Sequence, residues 1–168
     1  STPLKIYAPA STILTLNAIM HAFSWANWPR FYPVEFSAIP ATTDAAVLEN
    51  EEFTITSAPG VHFVPVVGLR VTHRSTGYSL MYSSDTEPAD SIKQLAQGVN
   101  LLLHETAGAT FGHSSAAMAG ALAREAHVEK LILIHYQVYA DQATLVAEAR
   151  SEFSGPIEVA QDFAEYLL

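Results

Sequence analysis

The sequence predicts an α/β fold, a mixed β-sheet with helices on one face, and three observations carry that prediction. From residue 79 onward, short apolar runs alternate with longer segments of helical periodicity, the pattern of a sheet covered by helices. Before that, strand-like runs follow one another with Gly60, Gly68 and Gly77 between them, which reads as a β-meander. The chain's 168 residues, 49% hydrophobic and 15% charged, suffice for a single domain with a real core.

Element by element, "LKIYA" is a short strand that begins almost at the first residue. "STILTLNAIMHAFSWA" carries apolar residues at helical spacing until Pro29 and Pro33 interrupt it. "VEFSAI", "FTIT", "VHFVPVV", "LRVTH" and "YSLMYSS" supply the strands of the meander. "PADSIKQLAQ" is a helix, with Thr86 placed to cap it and Pro88 tolerated in its first turn. Then "VNLLLHE" is a strand, "SSAAMAGALAREA" a helix capped by Ser114 or Ser115, "EKLILIHY" a strand, "DQATLVAEARSEF" a helix and "PIEVA" a strand. No repeat, linker or low-complexity segment interrupts the series.

Composition narrows the function. Lys+Arg 8 against Asp+Glu 17 gives a net charge of -9, which disfavours a broad nucleic-acid-binding surface and attraction to anionic membranes. No run approaches the ~18 apolar residues of a membrane span. The absence of cysteine removes disulfides and thiolate ligands and fits a cytoplasmic protein. Any metal must sit on His, Asp or Glu.

The chemistry-bearing residues gather where strands end, the edge at which open α/β sheets bind ligands. Asp85 follows "YSLMYSS", His104 and Glu105 end "VNLLLHE", and His135 ends "EKLILIHY". Imidazole and carboxylate at one rim suit a borderline divalent metal. His73, ending "LRVTH", is a candidate fourth ligand on weaker spacing. His21, His62 and His127 have no acidic neighbour in sequence and read as structural. "GHSSA" lacks the G-x-S-x-G pattern of a nucleophile elbow, so its serines read as helix caps.

"YSLMYSSDTEP", "LLLHETAGATFGHSSAAMAGALA" and "LILIHY", in that order and preceded by "VTHRSTGYSLMYSSDT", resemble the C-terminal half of a metallo-β-lactamase-fold hydrolase of the ribonuclease Z branch. The resemblance implies an αββα sandwich of which residues 1–168 form one half-domain. It implies metal ligands His73, Asp85 and His135, with Asp85 bridging two ions, usually zinc, although manganese or iron suits the same donors. It implies Glu105 orienting His113, which protonates the leaving oxygen while a metal-activated water attacks. The substrate implied is a phosphodiester, an RNA end or a small molecule. Alternatives are an ester, thioester or sulfate substrate within the same superfamily, or a non-catalytic half-fold serving binding or assembly.

Two family features do not appear in these residues. The H-x-H-x-D-H signature, which the family places upstream of "PLKIYAP", is not in this chain, nor is the basic arm that grips tRNA. The expected partner is therefore an N-terminal half of the same fold, or a second copy of the chain.

Overall fold

The computed structural model describes residues 2–28 and 32–166, and the chain divides into two compact units, Ser1–Ala41 and Thr42–Leu168. In the first unit, strand β1 (Leu4–Pro9) runs into helix α1 (Ala10–Ala22), a 3-10 turn follows at Trp25–Asn27, and strand β2 (Val34–Ile39) returns. β1 and β2 pair in parallel from Leu4 with Val34 to Pro9 with Ile39. "VEFSAI" is thus not the first strand of the meander. The intervening helix provides the crossover that a parallel pair requires. Pro29 lies outside the described residues; α1 already ends at Ala22.

The second unit holds a seven-stranded mixed sheet in chain order. β3 (Ala45–Glu49), β4 (Phe53–Pro59), β5 (Val67–His73) and β6 (Ser79–Tyr82) form the antiparallel meander. β7 (Leu101–Glu105), β8 (Lys130–Ile134) and β9 (Ile157–Val159) then add in parallel, alternating with α2 (Asp90–Leu95), α3 (Ala116–Glu125) and α4 (Gln142–Arg150). β3 carries little strand signal, being alanine-rich with a register shift between Ala46 and Leu48. Its place comes from its pairing with β4.

"VHFVPVV" is not a strand. Val61–Val66 forms a bent loop and pairing begins only at Val67, because Pro65 lacks the N–H that a ladder needs. Thr86 does not cap α2 either. The helix starts at Asp90 behind Ala89, and the Thr86 hydroxyl instead accepts the Val61 N–H at 2.9 Å. For α3 the cap is Ser115, whose hydroxyl accepts the Met118 N–H.

Met81, Leu102, Leu131 and Leu133 pack with Ile92, Leu95, Ala119 and Leu122 in one buried core. Alternation then places Leu80, Leu103 and Ile132 on the opposite sheet face. Each fully buried aliphatic side chain contributes about 1.5–3 kcal/mol, so this core anchors the parallel strands whose ends build the site.

Candidate metal and acid-base site

β6, β7 and β8 are parallel neighbours, so their C-terminal ends share one edge of the sheet. Asp85 follows β6, Glu105 ends β7 and His135 follows β8. Two turns here hold non-glycine residues in the left-handed region, Ser84 (φ 55°) and His135 (φ 48°), each at a cost of about 1–2 kcal/mol. Such conformations persist where surrounding structure enforces them, and they concentrate at functional sites.

Asp85, His113 and His135 each offer a ligand atom within 4.8 Å of the others. His135 Nε2 lies 3.6 Å from Asp85 Oδ2. The His113 and His135 rings stack at 5.6 Å and 16°. This donor set of one carboxylate and two imidazoles, without thiolate, suits zinc, manganese or iron.

Glu105 is wholly buried and ties the surrounding loops together. Its Oε1 accepts the N–H groups of Thr86 (3.1 Å) and Ser114 (2.9 Å) and faces His113 Nδ1 at 3.1 Å. Its Oε2 accepts the Ala107 N–H at 2.8 Å. A carboxylate that accepts a hydrogen bond from the His113 Nδ1–H fixes the ring's orientation and leaves Nε2 for chemistry. Around this centre the Ser114 hydroxyl donates to Thr86 O (2.7 Å) and Glu87 accepts the Gly112 N–H (2.8 Å). The loop at residues 107–115 is long because it carries this network.

His104 lies on the other side of β7 from Glu105 and is fully buried. Its Nδ1 meets Glu105 O at 2.8 Å. Burial pushes its pKa below the ordinary histidine value, which keeps it neutral, and it takes no part in the cluster.

His73 stands apart from the group. β5 runs antiparallel to β6, with Thr72 opposite Ser79 and Leu69 opposite Tyr82, so its C-terminal residue lies at the far end of the sheet from Asp85. There His73 Nδ1 meets the Thr76 hydroxyl at 2.8 Å and the ring packs on Phe53. Strand order alone suggests a shared edge; strand direction excludes it.

His62, read from the sequence as structural, reaches the site instead. Its Nδ1–H donates to Gly112 O at 2.8 Å, and its ring meets His113 edge-on at 4.9 Å. Pro65 within the apolar run was the available signal that this segment bends out of the sheet.

The profile of the beta-lactamase superfamily domain matches residues 1–136. A ribonuclease Z from Thermoplasma acidophilum is 34% identical over 99 residues, covering 54% of this chain and 35% of that protein. One from Methanothermobacter thermautotrophicus is 35% identical over 94 residues, covering 51% and 31%. In three dimensions, the metallo-beta-lactamase fold protein YhfI from Bacillus subtilis superposes with a TM-score of 0.73 at 24% identity, over 95% of this chain and 63% of that one. The short form of human tRNase Z gives 0.71 at 18%, over 98% and 67%. The matched segment thus spans about a third of the length of the curated relatives.

Proposed function

The chain belongs to the beta-lactamase superfamily, with the metallo-β-lactamase fold and a ribonuclease Z-like sequence, and from that premise we propose that it serves a metal-dependent hydrolase of phosphodiesters. The observation that carries this reading is the convergence of Asp85, His113 and His135 from the loops that follow the parallel strands β6, β7 and β8, with His113 held by the buried Glu105.

In this reading Asp85 and His135 would hold the metal. When bound, the metal supplies the Lewis acidity that activates a water and stabilises charge building on the phosphoryl group. The residues do the rest. Glu105 holds the proton of His113 Nδ1 and thereby aims Nε2. His113 then delivers a proton from Nε2 to the leaving oxygen, a contribution of ~10²–10⁴-fold. The relatives' name, ribonuclease Z, favours an RNA end as the diester. The net charge of -9 favours a short contact over an extended nucleic-acid track.

The position of His113 within the metal group also favours a second role, as a third ligand. Metal content and turnover, measured on the full-length protein, separate the two. Asp85→Ala is expected to lose both, whereas His113→Ala is expected to keep its metal and lose about 10²–10⁴-fold in turnover. Equal metal loss in both variants would make His113 a ligand. A panel of phosphodiesters, carboxylic esters, thioesters and sulfate esters tests the substrate class, and hydrolysis confined to the non-phosphate esters would overturn the phosphodiester reading.

A further inference from the structure

Beyond His113 the site continues into a row of rings. The His62 ring stands 4.9 Å from His113 and 5.3 Å from Phe63, and Phe63 meets Phe111 edge-on at 4.8 Å and 74°. The last two rings are mostly exposed, Phe63 at 69% and Phe111 at 62%. An exposed aromatic pair gives up apolar burial, so a contact with something else is the economical reason for it.

The lip is built into the site. His62 is bonded to Gly112 O, and the Val61 backbone bonds Thr86 Oγ1 and the Glu87 N–H. Gly112 sits at φ +81°, and a Cβ there would lie 2.6 Å from His62 Nδ1 and 3.3 Å from Phe63 Cδ2. The backbone of the His113 loop is thus pressed against the two rings, and Phe111 lies two residues before His113. These contacts hold Phe63 against Gly112, the residue before His113, and Phe63 in turn packs on Phe111.

The geometry points to Phe63 and Phe111 as a stacking platform for the nucleobase of the leaving nucleoside, and so as specificity-determining residues. This assignment rests on the reading above that His113 protonates the leaving oxygen, because the row reaches the platform from His113 through the single ring of His62. A nucleobase presents a flat π-face that stacks on exposed aromatic rings with little regard to sequence. A platform of two phenyl rings offers no donors or acceptors, so it selects a flat ring over an alkyl group without reading the base.

The test is binding. Full-length protein loaded with zinc is titrated calorimetrically with adenosine 5′-monophosphate and with ribose 5-phosphate, alongside Phe63→Ala, Phe111→Ala and the ring-preserving Phe111→Tyr. The nucleotide is expected to bind about tenfold tighter than the sugar phosphate, in keeping with stacking energies. Both alanine variants should erase that difference and leave ribose 5-phosphate unchanged, while Phe111→Tyr should preserve it. Equal affinities in the wild type, a preference that survives both alanine variants, or a loss as large for the sugar phosphate would each overturn the platform. The hydrolase reading fails separately, through the metal content and turnover of the Asp85 and His113 variants, which this assay does not read.

Discussion

Glu105 shows what a single residue can hold. Three backbone N–H groups and one imidazole converge on its two oxygens in a fully buried position. Glu105→Gln replaces one oxygen with an NH₂ that cannot accept, so at least one buried donor loses its partner, at a cost of about 1–3 kcal/mol. The expected outcome is a lower unfolding midpoint together with reduced turnover, and a rescue of turnover by added imidazole is not expected because His113 remains present. Unchanged stability in urea would show that the network tolerates the amide and that Glu105 acts on His113 alone. The resemblance carried by "HETA" and "GHSS" implied Glu105 and His113 as a pair, and the two side chains do meet. The sequence did not disclose the three backbone donors, because main-chain groups leave no trace in a residue pattern. His62 was hidden for a related reason: alternation in "VHFVPVV" mimics a strand, and only the tertiary pull of the Gly112 carbonyl and Val61's bonds to the Thr86–Glu87 segment turns it outward.

At the scale of elements, the alternation of strand and helix after β6 was legible because each run is apolar on a period that local sequence reports. β3 was not legible, since its alanines pair through the backbone of β4 rather than through side-chain propensity. The end of the sheet that each residue reaches was also beyond a list of strands, and His73 marks the consequence. Helix packing offers a sharper test. Gly120 in α3 is buried, and a Cβ there would stand 2.5 Å from the carbonyl oxygen of Ala149 in α4, a backbone atom that cannot rotate away. Gly120→Ala therefore forces α3 and α4 apart. The gain in helix propensity, about 1 kcal/mol, is opposed by overpacking of about 1–3 kcal/mol. A net fall in thermal midpoint is expected, and a rise would show that the two helices separate without cost.

For the whole molecule the apolar surfaces set the expectation. In the second unit, the sheet face opposite the helices carries Val71, Leu80 and Leu103, which remain only partly buried. In the first unit, α1 buries none of its residues, and Leu14 and Phe23 beside its end are 72% and 63% exposed. Soluble monomers usually expose contiguous apolar patches of no more than a few hundred Å², and we propose that these surfaces are covered by a further part of the same fold or by a second copy. The ligands argue in the same direction. Asp85, His113 and His135 form a group of three, and if His113 is the proton donor, two side chains are left for the metal, fewer than a stable site uses. A polypeptide of these 168 residues alone is therefore expected to sediment as oligomers or aggregates and to bind zinc weakly in a metal titration. We propose that an N-terminal half of the same fold, supplied in trans, would bring it to a defined size and tighten its zinc binding. A monodisperse monomer that holds two zinc ions tightly would refute both parts, since it would show that the exposed faces need no partner and that this chain's own side chains suffice for the metal.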